Sequence, residues 1–209
     1  MSTDTNQKQA AQAPAIPPIP NLGTRTDEIT IYAGPCSIES VEQFDDAGQK
    51  YGLKTLTEVM DSAHCEMVHS YVDGLQVGAR NFQNFSLLKN IGHVTRDSHK
   101  MVLYKRGFAG TIAEWLAACD YITNEGNTNV VLCERGIRTF ETATRFTLDI
   151  SAVPVVHKQS LYPICIDVSH PAGQRDLVPS LAYAAVAAGC DSIMIEVHPN
   201  PPKALSDGP

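Results

Sequence analysis

Short apolar runs alternate with longer segments of helical character from Ile29 to the end of the chain. Each run is apolar throughout, which is typical of strands in a parallel sheet that is covered on both faces. Repetition of strand and helix in this order indicates an α/β domain, either a barrel or a doubly wound open sheet. The seven predicted strands are Ile29–Ala33, Thr55–Met60, Leu75–Val77, Met101–Tyr104, Asn129–Cys133, Pro163–Val168 and Ser192–Val197. The predicted helices include Thr111–Tyr121, Glu141–Leu148 and Leu177–Ala188.

Polar or charged residues stand at the end of nearly every predicted strand, as Glu58, Arg80, Lys105 and Glu196 do. In a barrel the C-terminal ends of all strands share one rim, and the active site is built there from many strands. An open sheet instead concentrates its chemistry at one switch point. The sequence has neither a Gly-x-Gly-x-x-Gly motif after the first strand nor a Gly-Lys-Ser/Thr phosphate loop. We therefore predict a TIM-type (β/α)8 barrel.

Composition divides the chain into two parts and excludes several classes of partner. Residues 1–28 read as a flexible tail rich in Ala, Gln, Pro and Thr, and residues 29–209 as the barrel domain.

A net charge of −7 argues against a surface for nucleic acid or anionic membranes. No stretch approaches the roughly 18 apolar residues that span a bilayer. With no apolar signal core and six scattered cysteines, we expect a cytoplasmic protein with reduced thiols.

Four residues of metal-binding type lie at the ends of the first and the last two predicted strands, or just beyond them: Cys36, His170, Glu196 and Asp207. The first and last strands of a barrel are neighbours, so these four side chains are expected to converge. One thiolate, one imidazole and two carboxylates suit a divalent ion such as Mn, Fe, Co or Zn. Taken singly, such a cysteine or histidine is more often structural. Their shared position at strand ends favours a metal site.

Basic residues gather at the same strand ends, where Arg80, Lys105 and Arg135 directly follow apolar strands. The planar fork of Arg matches phosphate and carboxylate groups, while Lys acts as a point charge. The sequence therefore predicts a site for a small substrate that carries both groups. We interpret Arg106 and Arg138 instead as helix-capping or solvated charges.

The carboxylate of Glu58 ends its own predicted strand. A buried carboxylate without a partner is costly. We therefore expect Glu58 to bind a water molecule or to steer a neighbouring Lys or Arg.

Many of these segments resemble motifs of the 3-deoxy-heptulosonate-7-phosphate (DAHP) synthase family, type I-beta group. The family is a (β/α)8 barrel. The resemblance implies that phosphoenolpyruvate, erythrose 4-phosphate and water give DAHP and phosphate, the first step of the shikimate pathway to aromatic amino acids. The segments, which cover most of residues 30–209, are Ala33–Glu39, Thr57–Asp61, Gln76–Asn81, Lys105–Gly107, Leu132–Phe140, Asp167–His170, Glu196–Pro201 and Ala204–Pro209.

The resemblance also implies a role for each matching position. The implied ligands of a divalent metal are Cys36, His170, Glu196 and Asp207. The implied phosphoenolpyruvate site consists of Glu58, the Ala79 backbone, Arg80, Lys105 and Arg135. Among these residues, the implied catalytic positions are Cys36, Lys105 and His170. The sequence leaves open whether the metal activates the aldehyde or the water.

The chain departs from the family pattern after Phe44. The family continues through a helix to a second strand ending in Arg-Gly-Gly, and then to a Lys-Pro-Arg-Thr-Ser loop. That loop supplies a Lys near phosphoenolpyruvate and an Arg-Thr pair that holds the sugar phosphate. Residues 45–52 instead resemble the end of the helix before the third strand. One strand–helix unit of about 35 residues is missing, so we expect an incomplete barrel of about seven strands that also lacks its last helix.

Two explanations of the missing unit remain open. The parent protein contains the unit, or the chain truly lacks it. In the second case strand edges are exposed, and we expect little or no synthase activity although the metal and phosphoenolpyruvate residues remain.

Two alternative functions also remain open. One is 3-deoxy-octulosonate-8-phosphate (KDO8P) synthase, which uses arabinose 5-phosphate as the acceptor; the segments Cys133–Phe140 and Asp167–His170 favour the heptulosonate enzyme. The other is an inactive barrel that acts as a binding subunit. The expected partners are the two substrates, with no nucleic acid or membrane, and a homo-oligomer (dimer or tetramer) is expected.

Overall fold

The computed structural model describes residues 29–35, 48 and 50–206. Within this part of the chain, seven strands form one sheet, and all of their pairings are parallel. The predicted tail (residues 1–28), Cys36 and Asp207 lie outside the described residues. The strands are β1 (Thr30–Gly34), β2 (Leu56–Glu58), β3 (Gly74–Val77), β4 (Met101–Lys105), β5 (Val130–Glu134), β6 (Ile164–Asp167) and β7 (Ser192–Glu196). The helices are α1 (Cys65–Tyr71), α2 (Phe85–Thr95), α3 (Ile112–Thr123), α4 (Ala152–Gln159), α5 (Ser169–Ala172) and α6 (Val178–Ala187).

The strand order is β1-β7-β6-β5-β4-β3-β2, so the first and last strands in sequence are neighbours, as they are in a barrel. The two edges of the sheet are β1 and β2; among the described residues β1 pairs only with β7, and β2 only with β3. Both edges line the same cavity, because the sheet curls toward closure. The prediction of an α/β barrel with about seven strands is confirmed as a curled half-barrel, and its gap lies between β1 and β2.

Side chains of the strands divide between two apolar clusters, because successive residues of a strand point to opposite faces. The outer cluster packs strand residues such as Tyr104 and Leu132 against helix residues such as Trp115. The inner cluster fills the inside of the curled sheet. It contains the buried residues Met101, Leu103, Val131, Cys133 and Cys165, and the half-buried Tyr32, Leu56 and Met194 pack against them. The half-buried members come from β1, β2 and β7, so the inside of the sheet is least covered beside the gap.

Two of the predicted helices are confirmed. Helix α3 begins after a capping box, in which the Thr111 hydroxyl accepts from the Glu114 amide and the Glu114 carboxylate accepts from the Thr111 amide. The predicted helix Leu177–Ala188 corresponds to α6 with a short 3-10 turn before it. No helix in the described part of the chain is long and apolar enough to cross a membrane.

The predicted helix Glu141–Leu148 is wrong, since these residues form a loop. The Glu141 carboxylate accepts hydrogen bonds from the amides of Thr142 and Ala143, both at 2.7 Å, which turns the chain locally and competes with helix formation. Ile137 and Thr147 then pair as an antiparallel bridge. The helix of this region, α4, begins only at Ala152.

Candidate active site

One cavity of about 510 Å³ opens at the C-terminal ends of the strands. Its walls include every predicted site residue that lies in the described part of the chain. Contributions come from six strand ends, in keeping with a barrel rim. These residues are Glu58, Ala79, Arg80, Lys105, Arg135, His170 and Glu196. The structure therefore brings together the predicted anion cluster and the described half of the predicted metal quartet.

Asp167 connects the two halves of this site, and the sequence prediction missed it. Its Oδ2 atom accepts from Lys105 Nζ at 2.8 Å and from His170 Nδ1 at 2.7 Å. Its Oδ1 atom accepts from the backbone amides of Ser169 and His170 at 3.2 and 3.1 Å. Because Asp167 is fully buried at the end of β6, these four bonds fix the Lys105 ammonium and the His170 ring relative to each other.

Burial and neighbouring charges together set the pKa values of Asp167 and Lys105. Burial alone would raise the pKa of Asp167, but the neighbouring Lys105 charge and the contact with His170 hold it well below its usual range. Burial alone would lower the pKa of Lys105, but the Asp167 carboxylate overcomes this effect and raises it to about 12. Both groups are therefore charged at neutral pH, and the strand ends carry a fixed ammonium.

His170 and Glu196 form the described part of the predicted metal site. Since the His170 Nδ1–H donates to a carboxylate, the neutral imidazole presents the lone pair of Nε2. This Nε2 atom lies 3.4 Å from Glu196 Oε1, an atom that is buried and has no hydrogen-bond partner among the described residues. Two donor atoms that bind one ion at about 2.0–2.2 Å stand about 3–3.5 Å apart. The pair therefore fits a shared cation.

Local structure holds Glu196 in that position. Its backbone amide donates to Ser169 Oγ at 2.9 Å, which ties the end of β7 to the start of α5. No group of three His, Cys, Asp or Glu side chains among the described residues is arranged to hold a metal ion. The other two predicted ligands, Cys36 and Asp207, lie outside that part of the chain.

Arg135 is held for anion binding by aromatic rings rather than by a carboxylate. Its guanidinium carbon lies 4.9 Å from the ring centroid of Phe108 and 4.2 Å from that of Phe146. The side chain is 4% exposed, and within the described part of the chain its Nη1 atom has no hydrogen-bond partner. Burial is the main cause that lowers the pKa of Arg135, and the nearby Arg145 adds to it. A buried unpaired donor costs about 1–3 kcal/mol, so a substrate anion would remove this cost.

Gly136, directly after Arg135, is required by this arrangement. Its φ angle is +91°, and an added Cβ atom would lie 2.7 Å from Phe146 Cβ and 2.9 Å from Pro171 Cβ. A residue with a side chain would therefore push away the ring that supports the guanidinium. This explains why glycine follows Arg135.

Arg80 and Glu58 line the opposite wall of the cavity. Arg80 is exposed in a 3-10 turn, Ala79–Asn81, after β3. Glu58 Oε2 accepts from Gln76 Nε2 at 3.4 Å, which is the long contact of a weak hydrogen bond. A Cβ atom on Gly78 would lie 2.0 Å from Glu58 Oε1, so only glycine leaves room for the carboxylate there.

The interpretation of Arg106 as a capping or solvated charge is wrong. Arg106 is 5% exposed, and its Nη1 atom donates to Glu134 Oε2 at 2.9 Å and to Asp149 Oδ2 at 2.8 Å. Burial is the main cause that raises the pKa of Glu134, and the Arg106 charge opposes it. These contacts tie the residue after β4 to the end of β5 and to the loop that contains Asp149. The interpretation of Arg138 is consistent with its exposure.

Among the missed residues, only Asp167 left a signal in the sequence. It stands three residues before His170 at a strand end, and that spacing places both side chains on one side of a turn. Phe108 and Phe146 lie in loops where a lone aromatic residue has no periodic pattern around it. Their role emerges only from the folded contacts with Arg135.

Comparison with known proteins agrees with the fold. The DAHP synthetase I family matches residues 39–209. Phospho-2-dehydro-3-deoxyheptonate aldolase of Thermotoga maritima is 52% identical over 170 residues, which are 81% of this chain and 49% of that protein. 2-Dehydro-3-deoxyphosphooctonate aldolase of Caulobacter vibrioides is 33% identical over 188 residues, with coverage of 82% and 61%. The chain thus spans about half to three fifths of the length of these curated relatives.

Two solved structures superpose well on the chain. The crystal structure of DAHP synthase from Thermotoga maritima has a TM-score of 0.81 and 44% identity, and the match covers 86% of this chain and 63% of the other. A truncated form of the Thermotoga enzyme has the same TM-score with 46% identity and covers 86% and 79%.

Proposed function

The chain belongs to the DAHP synthetase I family, and we propose that its rim site serves the condensation of phosphoenolpyruvate with erythrose 4-phosphate and water to DAHP and phosphate. The single observation that carries this proposal is the cavity that gathers Lys105, Arg135, His170 and Glu196 around the buried Asp167. Such a reaction belongs at the entry to aromatic amino acid biosynthesis.

Phosphoenolpyruvate is the substrate that the cations fit. Its phosphate and carboxylate need at least two fixed positive groups, and Lys105 and Arg135 are both buried at the base of the cavity. Arg135 Nη1 has an unused donor there. The exposed Arg80 and the Ala79 amide lie on the opposite wall of the cavity, where they would also bind the substrate.

A divalent ion, Mn, Fe, Co or Zn, would be held by His170 and Glu196, with Cys36 and Asp207 as its further ligands. When bound, this ion supplies Lewis-acid chemistry beside the acceptor aldehyde or water. Asp167 orients His170 for that purpose through the bond to Nδ1.

The reaction joins C3 of phosphoenolpyruvate to the aldehyde carbon, adds water at C2 and releases phosphate by C–O cleavage. Lys105 and Arg135 hold the phosphate and stabilise the charge that develops on it as it leaves. Glu58, which accepts only a weak hydrogen bond from Gln76 among the described residues, is placed to accept a hydrogen bond from the water that adds. The fixed ammonium of Lys105 costs no reorganisation during this step.

The gap between β1 and β2 favours a second candidate, a barrel that binds phosphoenolpyruvate with little or no turnover. In a closed barrel an eighth strand end would complete the rim at this point. The acceptor phosphate would lose the contacts that such a strand end supplies. This candidate has the same phosphoenolpyruvate site as the synthase and differs from it in the site for the sugar phosphate.

One set of assays separates these candidates. The consumption of phosphoenolpyruvate is measured with erythrose 4-phosphate or arabinose 5-phosphate, with Mn(II) or with a chelator. Metal-dependent consumption with erythrose 4-phosphate supports the condensation, and consumption only with arabinose 5-phosphate supports the octulosonate reaction. Binding of phosphoenolpyruvate in calorimetry without consumption supports the second candidate. Absence of both binding and consumption overturns the proposed function.

The proposal also covers the oligomeric state of the protein and its cellular compartment. We expect a dimer or tetramer, which light scattering after size-exclusion chromatography measures. We also expect a cytoplasmic protein, consistent with the buried free thiols of Cys65, Cys119, Cys133, Cys165 and Cys190.

A further inference from the structure

Two cysteines lie side by side in the inner cluster, below the rim cavity. Cys133 on β5 and Cys165 on β6 are register partners on adjacent parallel strands. Both are fully buried and both belong to the inner cluster, so their side chains point to the inside of the curled sheet. Neighbouring strands stand about 4.8 Å apart, which places the two thiols within reach of one ion.

Their surroundings are rich in sulfur and contain a buried hydroxyl group. Met101 and Met194 belong to the same inner cluster. Ser192 on β7 is the register partner of Cys165 and lies two residues before Met194, so it shares the inward face. Its Oγ atom is fully buried and lies beside the Cys165 thiol and the Tyr32 hydroxyl.

The thiols have weak partners of their own. The Cys133 Sγ atom donates to the Glu134 carbonyl at 3.8 Å, a long contact even for sulfur. Burial, followed by the neighbouring Cys133 thiol, raises the pKa of Cys165 well above its ordinary value. Cys165 is therefore protonated in the metal-free protein, and metal binding must release its proton.

We propose that Cys133 and Cys165 form a binding site for one monovalent thiophilic ion, Cu(I), inside the half-barrel. Cu(I) prefers thiolate and thioether ligands and needs no third carboxylate or imidazole, unlike the divalent ion of the rim. On binding, each thiol releases its proton to solvent and each sulfur forms one bond to the ion. The complex then carries a charge of −1 close to the ammonium of Lys105, which is the register partner of Cys133 and also pairs with Asp167.

The ion has a route to this site. Tyr32, Leu56 and Met194 cover the inner cluster, and the same three residues line the cavity that opens between β1 and β2. Movement of these half-buried side chains connects the two thiols with solvent.

Competition with a coloured Cu(I) chelator tests the proposal under anaerobic, reducing conditions. The background is Cys36→Ser, because Cys36 belongs to the proposed rim site and offers a thiol there. In this background we expect the chain to remove about one Cu(I) per chain from the chelator. Addition of Cys133→Ser or Cys165→Ser should weaken binding at least about 100-fold, since even the loss of an outer partner costs 10- to 100-fold.

Cys119→Ser is the matched control, because Cys119 is an equally buried cysteine in the outer cluster. It should bind Cu(I) as the background does. Circular dichroism verifies that each variant is folded, and Cys133→Ala and Cys165→Ala replace any serine variant that is not. Equal Cu(I) uptake by the Cys133/Cys165 double variant, or no uptake by the folded background chain, overturns the proposal. Neither result depends on synthase activity.

Discussion

Replacing Asp167 with asparagine removes the carboxylate that Lys105 and His170 share. The two bonds to Oδ2 are 2.8 and 2.7 Å long, and Asp167 and Lys105 are 0% and 5% exposed. Removing one partner of a buried ion pair costs about 3–5 kcal/mol, because the other charge stays buried without compensation. We expect the Asp167→Asn chain to lose about this much free energy of unfolding in urea denaturation.

The same substitution should weaken the rim site. Asparagine cannot hold both the His170 Nδ1–H and the Lys105 ammonium as a carboxylate does. Loss of an outer partner of a metal-binding histidine lowers metal affinity about 10- to 100-fold. Calorimetric titration with Mn(II) measures this change in the folded variant.

Dependence on pH provides a further check on Asp167. Its pKa is lowered in the folded chain, so the unfolded chain binds more protons near its ordinary value of about 3.9. The stabilisation is fully present above about pH 4 and is lost as the pH falls toward the lowered folded-state pKa. The free energy of unfolding should therefore fall less steeply between pH 5 and pH 3 in Asp167→Asn than in the native chain.

Asp73→Asn serves as the matched control for these experiments. Asp73 pairs with Lys54 at 3.3 Å, but their side chains are 40% and 59% exposed. A surface pair of this kind contributes about 0–1 kcal/mol. The reasoning about Asp167 is refuted if Asp167→Asn changes the free energy of unfolding no more than Asp73→Asn and leaves Mn(II) affinity unchanged.

Two further substitutions test other parts of the rim. Gly78→Ala should displace the Glu58 carboxylate and lower the free energy of unfolding by about 1–3 kcal/mol in thermal or urea unfolding. Gly34→Ala should lower it little, because an added Cβ there meets no atom of the described residues within 4 Å. Equal effects of the two substitutions would contradict this account. Arg106→Met should cost about 3–5 kcal/mol in urea unfolding because it leaves the Glu134 charge buried; a loss below about 1 kcal/mol would show that the pair does not hold the loops together.

The strands were predictable because burial on both faces leaves a continuous apolar run. β4 and β5 consist entirely of buried residues. The gap after β1 was predictable as well, since one strand–helix unit is absent between two recognisable motifs. The sheet order with β1 and β2 at its edges confirms it.

The loop of residues 141–148 was not predictable from local composition. Its apolar residues are compatible with a helix, but the Glu141 carboxylate accepts hydrogen bonds from the backbone amides of the next two residues. The bridge between Ile137 and Thr147 also requires an extended chain. The bridge joins residues ten positions apart, so no short window of sequence contains it.

The charges of the rim were predictable in position and only partly in role. Lys105 ends a buried strand, and Arg106 and Arg135 directly follow buried strands. Sequence alone does not tell which of them meets a distant carboxylate. Arg106 meets Glu134 and Asp149 and is neutralised. Arg135 meets aromatic rings, and its Nη1 donor stays unused, so it is the group left for a substrate anion.

Calorimetric titration of the chain with phosphoenolpyruvate, in the presence of Mn(II), tests the central claim most directly. The native chain should bind one equivalent of phosphoenolpyruvate. Arg135→Met keeps an unbranched side chain without charge and should bind it at least about tenfold more weakly, since a charged hydrogen bond contributes about 1.5–3 kcal/mol. Arg138→Met changes an exposed arginine on the same loop and should bind as the native chain does. Absence of binding by the native chain, or equal binding by the folded Arg135→Met chain, would contradict the account.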